Sequence, residues 1–226
     1  MKFLNKLERK FGKYAIPNLP LALVVFFGIG YLISFVSPEI AAFLTLNPEA
    51  IMQGEVWRLI SWMIVPPSGA SFITMLLLFF ILYFYYFMGC SLQNVWGNFV
   101  FNLYIFAGII FTDLGVMVAY WLGLIPGSVS ISTYYLCMSM FLAYATCFPE
   151  MRVLLFMVIP IKVKYMGYFD GAIILWSFLT GNLGTKVVIV MLMLNFLIFF
   201  LSTRNYKKNS PRQMKRRKKY KKQVKV

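Results

Sequence analysis

Long apolar runs recur along this chain, and they fix the class of fold before any single residue is considered. Residues 21–36 read "LALVVFFGIGYLISFV", 71–89 "SFITMLLLFFILYFYYFMG", and 99–122 "FVFNLYIFAGIIFTDLGVMVAYWL". Such runs approach or exceed the roughly 20 residues that a helix needs to cross the hydrocarbon of a bilayer. In hydrocarbon the backbone must satisfy its own hydrogen bonds, which leaves helices or closed barrels. Continuous runs without strict alternation favour helices. Hydrophobic residues make up 61% of the 226 residues, against about 45–50% in soluble domains. No soluble domain of useful size fits beside the spans. The fold class expected is an all-α polytopic membrane protein.

Six spans are predicted: about 21–36, 71–89, 99–122, 131–148, 169–179 and 187–201. The turn "CSLQNVWGN" separates the second from the third. "GLIPGSVS" separates the third from the fourth, and Pro149 closes the fourth. "MRVLLFMVIPIKVKYMGYFDG" is interrupted by Pro160 and reads as an interfacial segment leading into the fifth, since proline kinks or ends a helix. Residues 37–70 are too polar and too broken by prolines 38, 48, 66 and 67 to be a span. They are expected to form a long external loop lying half-sunk in the interface. The domains expected are a basic amphipathic interfacial helix at 1–16, a six-span domain at 17–202, and a disordered basic cytoplasmic tail at 203–226.

The formal net charge of +15 resides mainly in the two ends, "MKFLNKLERKFGKY" and "RNYKKNSPRQMKRRKKYKKQVKV". On a membrane protein such flanks set topology and meet the anionic inner leaflet. Lipid is therefore the expected partner of both termini, ahead of nucleic acid such as ribosomal RNA. An even number of spans between two basic ends places both in the cytoplasm, with Glu39, Glu49 and Glu55 outside. Cys90, Cys137 and Cys147 lack metal-ligand spacing and read as free thiols. No cofactor or metal is expected. No cleavable signal is expected either, because the first apolar run starts late and is long enough to span.

The loop stretch "GEVWRLIS" places Trp57 and Arg58 before an apolar run, and the second span ends in "YYFMGCSLQNVWG". In this order and spacing the chain resembles the rhomboid-like superfamily, which includes rhomboid proteases, derlins and related pseudoenzymes. The first stretch is similar to that family's Trp-Arg motif. The second is similar to its Tyr, Gly, Leu-Glu, Gly pattern through Gly89, Leu92, Gln93 and Gly97, with Gln93 in place of the usual Glu. The stretch "CFPEMRVLLFMVIPIKVKY" is similar to the link after the fourth helix of many bacterial members. The resemblance covers about Leu44 to Gly184 and implies a six-helix rhomboid-like bundle.

It also implies where catalytic groups would stand, and they are missing. The nucleophile position falls near Tyr134, with Ser132 and Thr133 beside it but no Gly-x-Ser-Gly frame. Asn182 stands at the place of the histidine, and the chain contains no histidine at all. The oxyanion-stabilising positions of the second helix fall near Leu77 and Ile81, whose side chains have no donor. Asparagine cannot act as a base at neutral pH.

Other polar residues invite a structural reading first. Trp57 and Arg58 read as an interfacial anchor, by an amphipathic ring and by snorkelling, or as the shaper of a lateral gate. Asp113, inside the third span, must face the bundle and be paired or protonated. It lies toward the end shared with Arg58 and Lys186, as a structural acid or as a substrate or proton contact. Asp170 reads as a helix-start residue, and Asn195 as a bond between helices, as do Asn98 and Asn102. The expected function is that of a rhomboid-like pseudoprotease that binds or chaperones other transmembrane segments, in a bacterial plasma membrane. The alternatives are a small-solute or ion transporter using Asp113 and an intramembrane peptidase with an unconventional nucleophile.

Overall fold

The structure is a computed structural model describing residues 2–67, 71–127, 131–155 and 159–203. The tail expected at 203–226 lies almost wholly outside them, since only Thr203 is described. The described residues are mostly helical. In chain order they form α1 (Lys2–Phe11), a short 3-10 turn (Gly12–Tyr14), α2 (Leu19–Val36), α3 (Pro38–Leu44), α4 (Pro48–Met52), α5 (Arg58–Ser61), α6 (Phe72–Leu76), α7 (Leu78–Trp96), α8 (Asn98–Trp121), α9 (Tyr134–Cys147), β1 (Arg152–Leu155), β2 (Ile159–Lys162), α10 (Val163–Thr180) and α11 (Leu183–Thr203).

Prolines and caps place most of these boundaries. Pro20, Pro38 and Pro48 stand in the first turns of α2, α3 and α4, where the missing N–H has no intrahelical partner to lose. Asn47 caps α4 by accepting a hydrogen bond from Ala50 N at 3.0 Å, and Ser71 caps α6 in the same way from Thr74 N at 3.1 Å. Among the described residues, four helical stretches are long and apolar enough to cross a membrane: Leu19–Val36, Leu78–Trp96, Asn98–Trp121 and Leu183–Leu201. The chain is thus a multi-pass membrane protein. α9 is apolar but only 14 residues long. α10 has 18 residues but carries Lys164 and Asp170 and is less apolar.

The core lies where α8 meets α11 and α9. Gly108, Thr112 and Gly115 form a small-residue stripe on α8. A Cβ at Gly108 would meet Leu136 Cδ1 at 2.9 Å and Asn195 Nδ2 at 3.0 Å, and one at Gly115 would meet Met191 Cγ at 2.5 Å. Small residues let the backbones approach, which in hydrocarbon is a main source of helix association.

Several boundaries differ from the sequence reading. The expected turn "CSLQNVWGN" is helix up to Trp96, and Gly97 alone, at φ 88°, connects α7 to α8. The polar residues there do not break the helix because they are satisfied within it or across it. Ser91 Oγ donates to Phe87 O at 2.8 Å, and Gln93 Nε2 donates to Pro17 O. The second helix is interrupted instead at Leu77. The fourth starts at Tyr134 rather than 131, and the last at Leu183 rather than 187.

The largest difference lies after Pro149. The stretch expected to be an interfacial segment is an antiparallel hairpin with Arg152 opposite Lys162 and Leu154 opposite Pro160, and α10 begins at Val163, six residues before the expected Phe169. Val153, Ile159 and Ile161 are β-branched and suit a strand, and a two-stranded ribbon tolerates proline on an edge. Bonds from Val163 N to Met151 O (2.8 Å) and Lys164 N to Pro149 O (3.2 Å) extend the pairing. Glu150 accepts from Lys162 at 2.8 Å and Lys164 at 3.3 Å, offsetting the like charges that the register brings together.

Those lysines hold the Glu150 carboxyl below its ordinary value. A lowered carboxylate contributes stability that is full above its unfolded value and lost as pH falls through the folded one. Protection of the β2 amides against hydrogen exchange, corrected for intrinsic rate, is therefore expected to hold at neutral pH and to weaken below the ordinary glutamate range. Unchanged protection at pH 3 would remove the ion pairs from the hairpin's stability.

Candidate functional site

The 37–67 loop is a folded cap over one end of the bundle, organised by Arg58. This side chain is buried at 7% exposure. Its Nε donates to Glu55, and its Nη1 donates to the carbonyls of Ala42 (3.2 Å) and Thr45 (3.0 Å). The guanidinium lies 4.8 Å from the Phe43 ring. The expectation that Arg58 snorkels is therefore corrected: its planar fork finds carbonyls and a carboxylate inside the loop and has no need of the interface. Trp57, by contrast, is half-exposed and meets Phe43 at 5.5 Å.

Three links fasten this cap to the bundle. Trp62, fully buried, donates its Nε1–H to Asp113 Oδ1 at 3.0 Å. Leu46 and Ile131 exchange backbone bonds, both at 3.1 Å. Thr133 Oγ1 donates to Val65 O at the N-terminus of α9. Asp113 is thus held by an indole, and neither Arg58 nor Lys186 forms an ion pair with it. Trp62→Phe and Asp113→Asn are each expected to loosen the loop. A double-mutant cycle should show coupling of about 1–2 kcal/mol, read from unfolding in detergent, and additive effects would remove the link.

Beneath the cap, α9 packs against α7, α10 and α11. Its 14 residues rise about 21 Å, short of the roughly 30 Å of bilayer hydrocarbon. Polar groups line it. Tyr85 of α7, Tyr31 of α2, Thr133 and Cys137 at the start of α9, and Asp170 of α10 lie near one another. Further along, the hydroxyls of Ser139 and Tyr104 are hydrogen-bonded and fully buried. Asn195 Nδ2 donates to Tyr104 O at 3.2 Å, linking α11 to α8.

Asp170 is not a helix-start residue. It is the eighth residue of α10, because the hairpin lets that helix begin earlier than expected. It belongs to the buried stripe Val163, Gly167, Asp170 and Ile174. Gly167 in this stripe approaches Ala145 so closely that a Cβ would lie 2.6 Å from the Ala145 Cβ, so the stripe faces α9.

The positions named for lost catalytic groups carry out other tasks. Asn182 is exposed and accepts from Thr185 N at 2.9 Å, the geometry of an N-cap for α11. Tyr134 opens α9, half-buried, with its ring 5.0 Å from that of Tyr135. Leu77 is the break between α6 and α7, and Ile81 lies in the first turn of α7. Ser139 is a hydroxyl that sequence reasoning missed. Its partner is a phenol, which is no base at neutral pH. Cys137 is flanked by hydroxyls rather than by the cations that activate a thiolate.

Residues of α7 and α8 hold the chain's first segment. Gln93 and Asn102 grip residues 16 and 17: Asn102 accepts from Ile16 N (3.0 Å) and donates to Ile16 O (3.0 Å) and Asn98 O (2.7 Å). A Cβ on Gly89 would meet Pro20 Cβ at 2.9 Å, and Leu92 is fully buried. Trp62, Tyr85, Cys137, Tyr104 and Ser139 had no motif to mark them among so many aromatic and small residues.

No family model matches this chain, and neither a curated protein nor a solved structure matches it significantly.

Proposed function

We propose that this chain is a catalytically inactive rhomboid-like membrane protein that binds or chaperones other transmembrane segments. The observation that carries the reading is α9: a short apolar helix among longer ones, capped by a structured loop. Such a helix leaves room within the bilayer for a guest segment. The lack of any histidine and the structural tasks of Asn182, Leu77 and Ile81 support the inactive half. The link from Trp62 to Asp113 supports a structural acid, so transport through Asp113 is not the reading adopted.

In this reading α9 and α10 join the four long helices as six spans. Both basic ends face the cytoplasm and anionic lipid, and the 37–67 loop faces outward, in a plasma membrane of bacterial type. Single cysteines at Asn5, Glu49 and Asn209 in a cysteine-free version test the topology. Only the Glu49 site is expected to react with an impermeant reagent applied to intact cells. Labelling at Asn5 or Asn209, or silence at Glu49, would reverse it.

The function is tested in liposomes with single-span reporter proteins. Crosslinking to the reporters without cleavage is expected. Cleavage blocked by a serine-directed fluorophosphonate would make the chain a peptidase, and no crosslinking to any reporter would remove client binding.

A further inference from the structure

Asp170 has no use in the architecture described so far. It is 8% exposed, and its Oδ2 has no hydrogen-bond partner among the described residues. The ion pairs among those residues join Glu55 to Arg58 and Glu150 to Lys162 and Lys164, and Asp170 joins none. A carboxylate at membrane depth must be protonated or meet a cation.

Its position suggests where the cation comes from. α7 and α10 both pack on α9 but share no extensive contact with each other. Between them runs a half-buried stripe of α9 at helical spacing, Tyr134, Met138 and Phe141. Phe84 of α7 reaches Phe141 with ring centroids 5.9 Å apart, and Asp170 of α10 is within electrostatic reach of Tyr134 and of Tyr85. Asp170 is the eighth residue of α10, about 10 Å along the helix.

We infer that this cleft selects transmembrane helices bearing a lysine or arginine within the membrane, which Asp170 pairs. The inference rests on the client-binding reading and adds a chemical class to it. A basic residue inside the membrane needs a counter-charge, and a carboxylate in an apolar cleft is the group that offsets it.

The experiment uses the full chain in liposomes, with a photo-reactive phenylalanine analogue replacing Met138. The probes are leucine-rich single-span peptides of about 20 residues with lysine, glutamate or leucine at the centre. The lysine probe is expected to crosslink on the order of tenfold more than the leucine probe, with the glutamate probe the weakest. Asp170→Asn, nearly the same shape, is expected to abolish the preference. Equal yields from lysine and leucine probes would overturn the charge selection while leaving client binding in place. A lysine preference that survives in Asp170→Asn would remove Asp170 as its source. No yield from any probe would remove client binding and the selection together. The comparison among the three probes needs no Asp170 variant and decides the charge selection even if Asp170→Asn fails to fold, in which case Asp170→Glu, which keeps the charge, and Asp170→Ser supply the test of its source.

Discussion

Arg58→Ala is expected to destabilise the detergent-solubilised protein by about 3 kcal/mol and to reduce its abundance in membranes several-fold. The guanidinium satisfies two loop carbonyls and one carboxylate at once. Removing it leaves Glu55 without its cation and the carbonyls of Ala42 and Thr45 without their donor, and truncation of one partner in such a network costs more than the pair itself contributes. Arg58→Lys keeps the charge but not the fork, so it should recover only part of the loss. Trp57→Ala removes one half-exposed ring contact with Phe43, and a loss under about 1 kcal/mol is expected. Unfolding curves of the three variants test the contrast, and equal losses for Trp57→Ala and Arg58→Ala would mean that the hub is misplaced.

A second large effect is expected at Gly30. A Cβ there would overlap Ile64 O and lie 2.9 Å from the Ile64 carbonyl carbon and 3.0 Å from Pro66 Cδ. The obstacle is mainly backbone, which cannot rotate aside. Gly30→Ala must therefore push the end of the loop away from α2. The displaced segment contains Val65, whose carbonyl accepts from Thr133, and follows Trp62, which bonds Asp113. About 3 kcal/mol is expected, the upper part of the overpacking range, together with greater proteolysis within residues 37–67. Gly28→Ala serves as the comparison, because its Cβ would meet only Leu82 Cδ1 at an ordinary 3.5 Å. A Gly30→Ala protein as stable as Gly28→Ala would show that α2 and the loop do not touch in the membrane.

The helices that were legible in the sequence are those whose burial in hydrocarbon is itself the signal: α2, α8 and α11. Hydropathy marks them whatever their neighbours are. What could not be read were outcomes decided by a distant partner. Gln93 and Ser91 look like turn residues until Pro17 O and Phe87 O are supplied. Pro160 is equally a kink or an edge-strand residue, and the Val163 and Lys164 amides decide between them by pairing with Met151 and Pro149. Trp57 stood out because it neighbours Arg58, while Trp62, five residues on, is the tryptophan that reaches the bundle. Asp170 was placed at a helix start because the hairpin before it was unseen. The hydrogen bond of Ser139 likewise depends on Tyr104 from another helix.

The one-residue connection at Gly97 bears on how the protein is made. α7 and α8 total 43 residues as 19 and 24, and between them the ribosome provides no loop that could pause in water. Nor does "QNVWGNFV" contain a lysine or arginine by which the insertion machinery could orient either helix alone. The two must enter the bilayer as one hairpin, their direction dictated by charges synthesised before them and after them. The basic segment that precedes α2 carries charges of that kind, and an error in reading them would invert α7 and α8 together.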